Sequence, residues 1–253
     1  MDLELKGKTA IVTGGVTGIG RAVTEMLAGE GCYVAACQID PKEKASAYTD
    51  YISDLTGTKC ISIQADVSIE ADVMAMNREV LDIYGKYDIL VNCAATITTA
   101  QCVELDLADW ERVLNVNLTG SFLTSKAAIS HFLEKKICGR IINISSQSAF
   151  RGSRSGQVHY NASKAGILGL TRTLAVETAG SGININTVAP GIVNTPTMAE
   201  RIRKRRKDYE RDIPIGYIAE PKDVAYAVVF LASVMGKYIT GATLDVSGGI
   251  MLM

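Results

Sequence analysis

The chain has 253 residues, which lies between the one- and two-domain expectations and within the usual size of one α/β unit. Apolar residues make up 47% and charged residues 21%, so a disordered chain is excluded and the core needs no metal or disulfide staple. The net charge of −1 and pI near 6.2 argue against nucleic acid or an anionic membrane as main partner, because both select clustered positive charge.

The first eight residues, Met1 to Lys8, are charged and carry no apolar leader, and no later run approaches the roughly 18 apolar residues of a membrane-spanning helix. Cys32, Cys37, Cys60, Cys93, Cys102 and Cys138 are scattered among apolar neighbours without a C-x-x-C pair. Buried free thiols are expected of them, in a reducing, cytoplasmic compartment. With His131 and His159 as the only histidines, no metal site is expected.

Short β-branched runs alternate with helix-length segments along the chain. Strands are predicted at Thr9–Thr13, Tyr33–Cys37, Cys60–Ala65, Ile89–Asn92, Arg140–Ser145, Ile183–Val188 and Thr243–Val246. Helices are predicted across Arg21–Gly29 and near residues 42–55, 70–84, 108–136, 158–179 and 221–233. Apolar strands alternating with helices describe a parallel sheet covered on both faces, and no linker or repeat divides the chain. Residues 1–253 therefore read as one doubly wound α/β domain of seven parallel strands. Residues 192–216, with Pro196, Pro214 and the run Arg201 to Lys207, break the rhythm. They read as an irregular insertion at the ligand-binding edge of the sheet and a substrate lid, with charges offset by Asp208, Glu210 and Asp212.

The first strand runs into Thr13-Gly14-Gly15-Val16-Thr17-Gly18-Ile19-Gly20. Glycines there permit a tight turn and bring backbone up to a pyrophosphate facing a helix N-terminus. The spacing G-x-x-x-G-x-G is weak alone, but its place between first strand and first helix points to a nucleotide. At the end of the second strand, Gln38 stands where an acid would bind ribose hydroxyls, and Ile39, Val16 and Thr17 are neutral. Nothing there offers positive charge to a 2′-phosphate, so NAD is favoured over NADP, with Asp40 as an alternative ribose reader if the turn is shifted.

Tyr160 and Lys164 stand four apart at the start of an apolar helix, so phenol and ammonium share one face. A cation beside a phenol brings it toward the working pH range. The pair follows a strand that ends in Ser145-Ser146.

At this point the chain resembles the short-chain dehydrogenase/reductase family, near its 3-oxoacyl-reductase and sugar-alcohol-dehydrogenase branches. The resemblance spans nearly the whole chain. Its motifs are the glycine loop, Ala65-Asp66-Val67, Val91-Asn92-Cys93-Ala94-Ala95, Asn115-Val116-Asn117, Ile144-Ser145-Ser146, Tyr160 to Lys164, and Pro190-Gly191-Ile192-Val193-Asn194-Thr195. It implies a Rossmann-type fold and hydride exchange between a nicotinamide and a carbinol carbon. By resemblance, Tyr160 is the acid/base, Lys164 holds the nicotinamide ribose and lowers the tyrosine pKa, and Ser146 hydrogen-bonds the substrate oxygen. Asn117 positions a water in a proton relay. The cofactor would be held by Gly14, Thr17, Gly18, Ile19, Gly20, Gln38, Asp66, Val67, Asn92, Pro190, Gly191, Val193 and Thr195, together with Tyr160 and Lys164. Asp66 would meet the adenine amino group.

The chain departs from the family pattern in two places. Ala95 replaces the glycine of the usual Asn-Asn-Ala-Gly, adding a methyl beside the cofactor. Ser146 precedes Tyr160 by 14 residues, one more than in many members, so Ser145 and Ser148 remain alternatives for the substrate-facing serine.

Thr96, Ser148, Arg151, Arg154 and His159 border these residues in sequence and suggest a polar or anionic small-molecule substrate such as a polyol, sugar or hydroxy acid. The main rival is a 3-oxoacyl-thioester reductase. Basic residues that would dock an acidic carrier protein are replaced by Ile137 and Ser181 at the positions matched, although Lys135 and Lys136 are near. A steroid dehydrogenase is a third reading, and a catalytically idle nucleotide-binding regulator one of another class. The resemblance also implies a homotetramer, packed through the 108–136 and 158–179 helices.

Overall fold

The computed structural model describes residues 2–153 and 155–252, with side chains for all of these except Lys42, Glu43 and Lys44. The seven strands are β1 (Thr9–Thr13), β2 (Tyr33–Gln38), β3 (Cys60–Gln64), β4 (Ile89–Asn92), β5 (Arg140–Ile144), β6 (Asn184–Pro190) and β7 (Thr243–Val246). They form a single sheet in the order β3-β2-β1-β4-β5-β6-β7, with every neighbouring pair parallel. The helices between them are α1 (Gly18–Gly29), α2 (Lys42–Thr56), α3 (Glu70–Tyr84), α4 (Leu107–Leu114), α5 (Gly120–Lys135), α6 (Val158–Thr178), α7 (Ala199–Asp212) and α8 (Pro221–Ala232).

Successive strand side chains point to opposite faces, and the apolar runs fill both. Val12, Val91, Ile142 and Val188 pack with Val23 and Leu27 of α1 and Val228 of α8. Their neighbours Ile11, Leu90, Ile141 and Ile185 turn the other way, against Val80 of α3, Phe132 of α5 and Ala175 of α6. Such two-sided burial explains why the central strands read as continuous hydrophobic runs without polar alternation.

Strand order reverses between β1 and β4, and open α/β sheets bind ligands at the carboxyl ends of strands beside such a reversal. Here the two strand ends are tied together: the Thr13 hydroxyl accepts from Cys93 N at 3.0 Å and Ala94 N at 3.1 Å. Gly14 follows at φ +65°, in the left-handed region, and a Cβ there would stand 3.1 Å from Ala94 backbone.

Three expectations need correction. Residues 192–216 are not irregular: 199–212 form α7, kinked at Arg205, whose φ of −134° is not helical. The predicted 108–136 helix is α4 and α5 joined by a π-helical turn, Asn115–Thr119. Cys102 and Cys138 are exposed, because they lie in connecting segments outside the two-sided core. Among the described residues no helix is long and apolar enough to cross a membrane.

A Cβ at Gly20 would overlap the Gly14 carbonyl oxygen, which is backbone and cannot swing aside. Gly20→Ala should therefore cost about 1–3 kcal/mol of stability and loosen nucleotide binding together, read by urea unfolding and cofactor fluorescence.

Candidate active site

Ser146 follows β5 directly, and its extended backbone caps the short turn Gln147–Ala149, where Ser148 N donates to Ser146 Oγ at 3.1 Å. The Ser146 hydroxyl lies by the Tyr160 phenol and favours its ionised form. One turn further along α6, Lys164 is 2% exposed and its ammonium donates to Ile144 O at 2.9 Å. Its Nζ lies 5.7 Å from the centroid of the Tyr160 ring. Ser145 is committed elsewhere, its hydroxyl donating to Lys164 O at 2.8 Å. Of the three serines, the structure therefore places Ser146 against the phenol.

These groups line a cavity of about 790 Å³, within the usual range for small-molecule sites. The glycine loop forms its opposite end through Gly14, Thr17, Gly18, Ile19 and Gly20. Thr17, the residue before α1, makes no side-chain cap bond, so the first amides of a 12-residue helix keep their donors for a ligand. A pyrophosphate fits that end: backbone donors, a positive helix dipole and no side chains at the closest approach. Pro190, Gly191, Val193 and Thr195 form another wall, with Thr96 and Ser148 near the serine. Ala95 is exposed on the wall, so its methyl leaves the groove open.

Several sequence-predicted residues lie off the cavity wall. Asn92 is interior: its amide donates to Asn143 Oδ1 at 2.8 Å and Ser125 Oγ at 3.0 Å, while its oxygen accepts from Thr124 Oγ1 at 2.7 Å. It knits β4 to β5 and α5 and does not line the groove. His159 is fully buried, with Nε2 paired to Thr98 Oγ1 at 2.7 Å, and burial pulls its pKa down, so it offers no cation to a substrate. Asn117 is also fully buried. Its amide N–H groups go to Thr96 O and Ser163 Oγ, both at 3.0 Å, and its oxygen accepts from Thr96 N at 2.8 Å. The side chain braces the strand-end loop against α6, and its donors are not available to a water.

Gln38 caps β2 with Nε2 donating to Pro41 O at 3.3 Å. Asp66 takes the Ser68 amide and hydroxyl, at 2.9 and 2.6 Å, and Val67 packs under Gly120. All three sit beyond the wall just described, and Asp40 lies past the end of β2, exposed. Arg151 lines the cavity with its guanidinium fixed to Ile250 O at 2.8 Å. Arg154 lies outside the described residues.

Sequence reading missed Gln147, Arg201, Arg205 and Tyr209 as wall residues. The signal was there: Arg201, Arg205 and Tyr209 recur every fourth residue and so form one stripe of α7. The other charges do what the charge pattern suggested. Lys204 pairs with Glu200 at 2.6 Å and Arg206 with Glu210 at 2.9 Å, away from the cavity.

Burial raises the Tyr160 phenol above its ordinary pKa, and the Ser146 hydroxyl works against the rise. Lys164 does not draw the phenol down here. Its own pKa falls to about 8, because burial disfavours the ammonium. A buried amine with a folded pKa of about 8, against an ordinary 10.5, destabilises the fold fully below pH 8, and the penalty fades as pH rises between those values. Lys164→Met should thus raise unfolding free energy at pH 7 by about 1–3 kcal/mol. That gain should shrink by pH 10, as followed by urea unfolding across the range.

Comparison with known proteins agrees with this geometry. A family described as "Enoyl-(Acyl carrier protein) reductase" matches residues 14–251. The 3-oxoacyl-(acyl-carrier-protein) reductase FabG of Aquifex aeolicus is 36% identical over 250 residues, covering 99% of this chain and 100% of the relative. A 3beta-hydroxysteroid dehydrogenase 1 of Eggerthella lenta is 40% identical over 251 residues, covering 98% and 95%. Among solved structures, a protein described as a 2-deoxy-d-gluconate 3-dehydrogenase of Agrobacterium tumefaciens, with bound NADP, superposes with a TM-score of 0.89 at 34% identity, covering 100% of this chain and 99% of that one. A short-chain type dehydrogenase/reductase from Mycobacterium marinum reaches a TM-score of 0.94 at 30% identity, covering 98% and 97%. Such relatives are NAD(P)-dependent oxidoreductases acting on CH–OH groups. This chain is an oxidoreductase of that kind and belongs to the short-chain dehydrogenase/reductase family.

Proposed function

We propose that the protein interconverts a secondary alcohol and a ketone on a small polar substrate, using NAD in preference to NADP. The observation that carries this is one cavity lined together by Ser146, the Tyr160 phenol, a buried lysine and a nucleotide-ready helix end.

When bound, a nicotinamide would give or take the hydride at the carbinol carbon. The protein's residues handle the proton and the geometry. In reduction, the Tyr160 hydroxyl passes its proton to the carbonyl oxygen as the hydride reaches the carbon, and its raised pKa keeps that proton in place beforehand. In oxidation, the phenolate takes the alcohol proton while hydride leaves the same carbon. Ser146 donates to the substrate oxygen as charge grows there. Lys164 would hold a ribose hydroxyl with ammonium donors beyond the one spent on Ile144. Asn117 acts as a positioning residue, holding Thr96 and Ser163 in register. At the adenosine end, Gln38 would read ribose hydroxyls and Asp66 and Val67 would meet the base. The kinked α7 serves as a lid, with Arg205 as its bend.

A second reading, 3-oxoacyl-thioester reduction, is supported by the FabG relatives of Aquifex aeolicus and Thermotoga maritima, the latter 35% identical. The polar, cationic wall of the cavity favours the small substrate, as do the gluconate dehydrogenases among the structural relatives. We further propose a cytoplasmic homotetramer. Phe122 and Leu133 on α5 and Val176 on α6 are exposed apolar side chains on the helices that would pair, Val176 at 82%.

Tyr160→Phe should lower kcat by about 10²- to 10⁴-fold with NADH affinity retained; an active phenylalanine variant would remove Tyr160 from the chemistry. NADH should bind at least about tenfold tighter than NADPH, roughly 1.4 kcal/mol, and Gln38→Arg should narrow or reverse that gap. A fluorescence titration in which NADPH binds tighter to the parent protein would overturn the assignment to NAD.

A further inference from the structure

We propose that the substrate is a hydroxylated carboxylic acid, its carboxylate gripped by Arg201 and Arg151 beneath α7 and a hydroxyl received by Gln147. This rests on the alcohol–ketone reading of the site.

Among the described residues the cavity wall carries five cationic side chains (Arg151, Lys164, Arg201, Arg205 and Arg211) against one carboxylate, Asp212. Three of the cations are already occupied. Arg205 pairs with Asp208 at 3.4 Å and lies over the Tyr209 ring, Arg211 pairs with Asp208 and Asp212, and Lys164 holds Ile144 O. Arg201 is different: half-buried, on the cavity stripe of α7, it has no hydrogen-bond or carboxylate partner among the described residues. Arg203 and Lys207 also lack partners, but they are exposed to water, where an unpaired charge costs little. A guanidinium partly withdrawn from water calls for an anion, and its planar donor fork matches a carboxylate.

Arg151, exposed on the same wall, has no carboxylate partner among the described residues either. One N–H is spent on Ile250 O, which fixes the guanidinium on the wall with donors left over. It follows Ser146 by five residues, on the loop that carries the substrate-facing hydroxyl, and the phosphates of a dinucleotide are already served by the amides of α1. Between Ser146 and Arg151, Gln147 buries its Oε1 without a donor. A buried amide end with no partner on a cavity wall is satisfied by a ligand hydroxyl. A half-buried unmatched guanidinium, an exposed one with spare donors on the same wall and an unmatched amide around a carbinol-handling pair point to a polyhydroxy acid more closely than to a neutral polyol.

The test compares kcat/KM with NAD⁺ for gluconate and threonate against the matching alditols, glucitol and threitol, with an acetoacetyl thioester plus NADH as the rival probe. The acids should be preferred by at least about tenfold. Arg201→Met should erase most of that preference through KM, with NADH affinity unchanged by fluorescence titration. Arg203→Met, on the same helix but off the wall, should keep it. Alditols turned over as well as acids would overturn the inference and leave the alcohol–ketone reading standing. An Arg201→Met variant that keeps the preference, or that loses NADH affinity, would overturn it as well. Turnover of the thioester alone would overturn the inference and the small polar substrate while leaving alcohol–ketone chemistry standing, and turnover of none of these compounds would overturn the inference.

Discussion

A buried chain of hydrogen bonds across the middle of the sheet sets the position of everything that faces the cavity. Thr124 on α5 donates to Asn92 on β4, Asn92 to Asn143 on β5, and Asn143 to Thr171 on α6. Thr187 on β6 closes it by donating to Thr171 at 2.8 Å. All five residues are buried, and inside a protein a satisfied polar chain strengthens each member, whereas a broken one strands several donors at once. Apolar packing is non-directional, whereas these hydrogen bonds tie α6 to β5 and β6 at a defined orientation. Tyr160 and Lys164 lie two to three turns along the same helix from Thr171, so the chain fixes where phenol and ammonium emerge.

Electrostatics divide the cavity in two. At the α1 end, positive character comes from backbone amides and carries no side-chain cost. At the α7 end it comes from guanidinium groups, some neutralised by neighbours and some not. Tyr160 and Lys164 sit between, both perturbed by burial toward their neutral forms. A phenol and an ammonium whose charged forms burial disfavours are sensitive to any anion that enters beside them, since a nearby negative charge would favour the ammonium.

Much of this was legible in the sequence. β1, β4 and β7 have the bounds that the β-branched runs indicate, and the glycine loop, Ser146, Tyr160 and Lys164 meet in space as their order implies. Where reading fell short, the reasons are physical. α7 carries almost no apolar periodicity, with Ile202 its one buried residue, so a pattern search finds nothing. It is helical because ion pairs such as Glu200–Lys204 and Arg206–Glu210 recur at i, i+4. Asn92 carries a polar side chain at the end of a strand beside the ligand edge, which suggests a binding role. Only coordinates show its donors turned inward to Asn143 and Ser125. His159 adjoins the reactive tyrosine in sequence, but neighbours on a helix point about 100° apart, and it faces Thr98.

The π-helical turn at Asn115–Thr119 has a consequence for how this family member can change. A turn of α-helix holds 3.6 residues, and a π turn takes up about one more, so α5 continues α4 with its phase advanced by about 100°. The inward face of α4 and the inward face of α5 are therefore written in different reading frames of the same helical rod. Losing one residue there would leave a smoother helix and a shorter chain. It would also rotate α4 against α5, taking Asn117 from under Thr96 or Thr124 from beside Asn92. The irregular turn works as a joint between two inscriptions, one addressed to the cavity loop and one to the sheet.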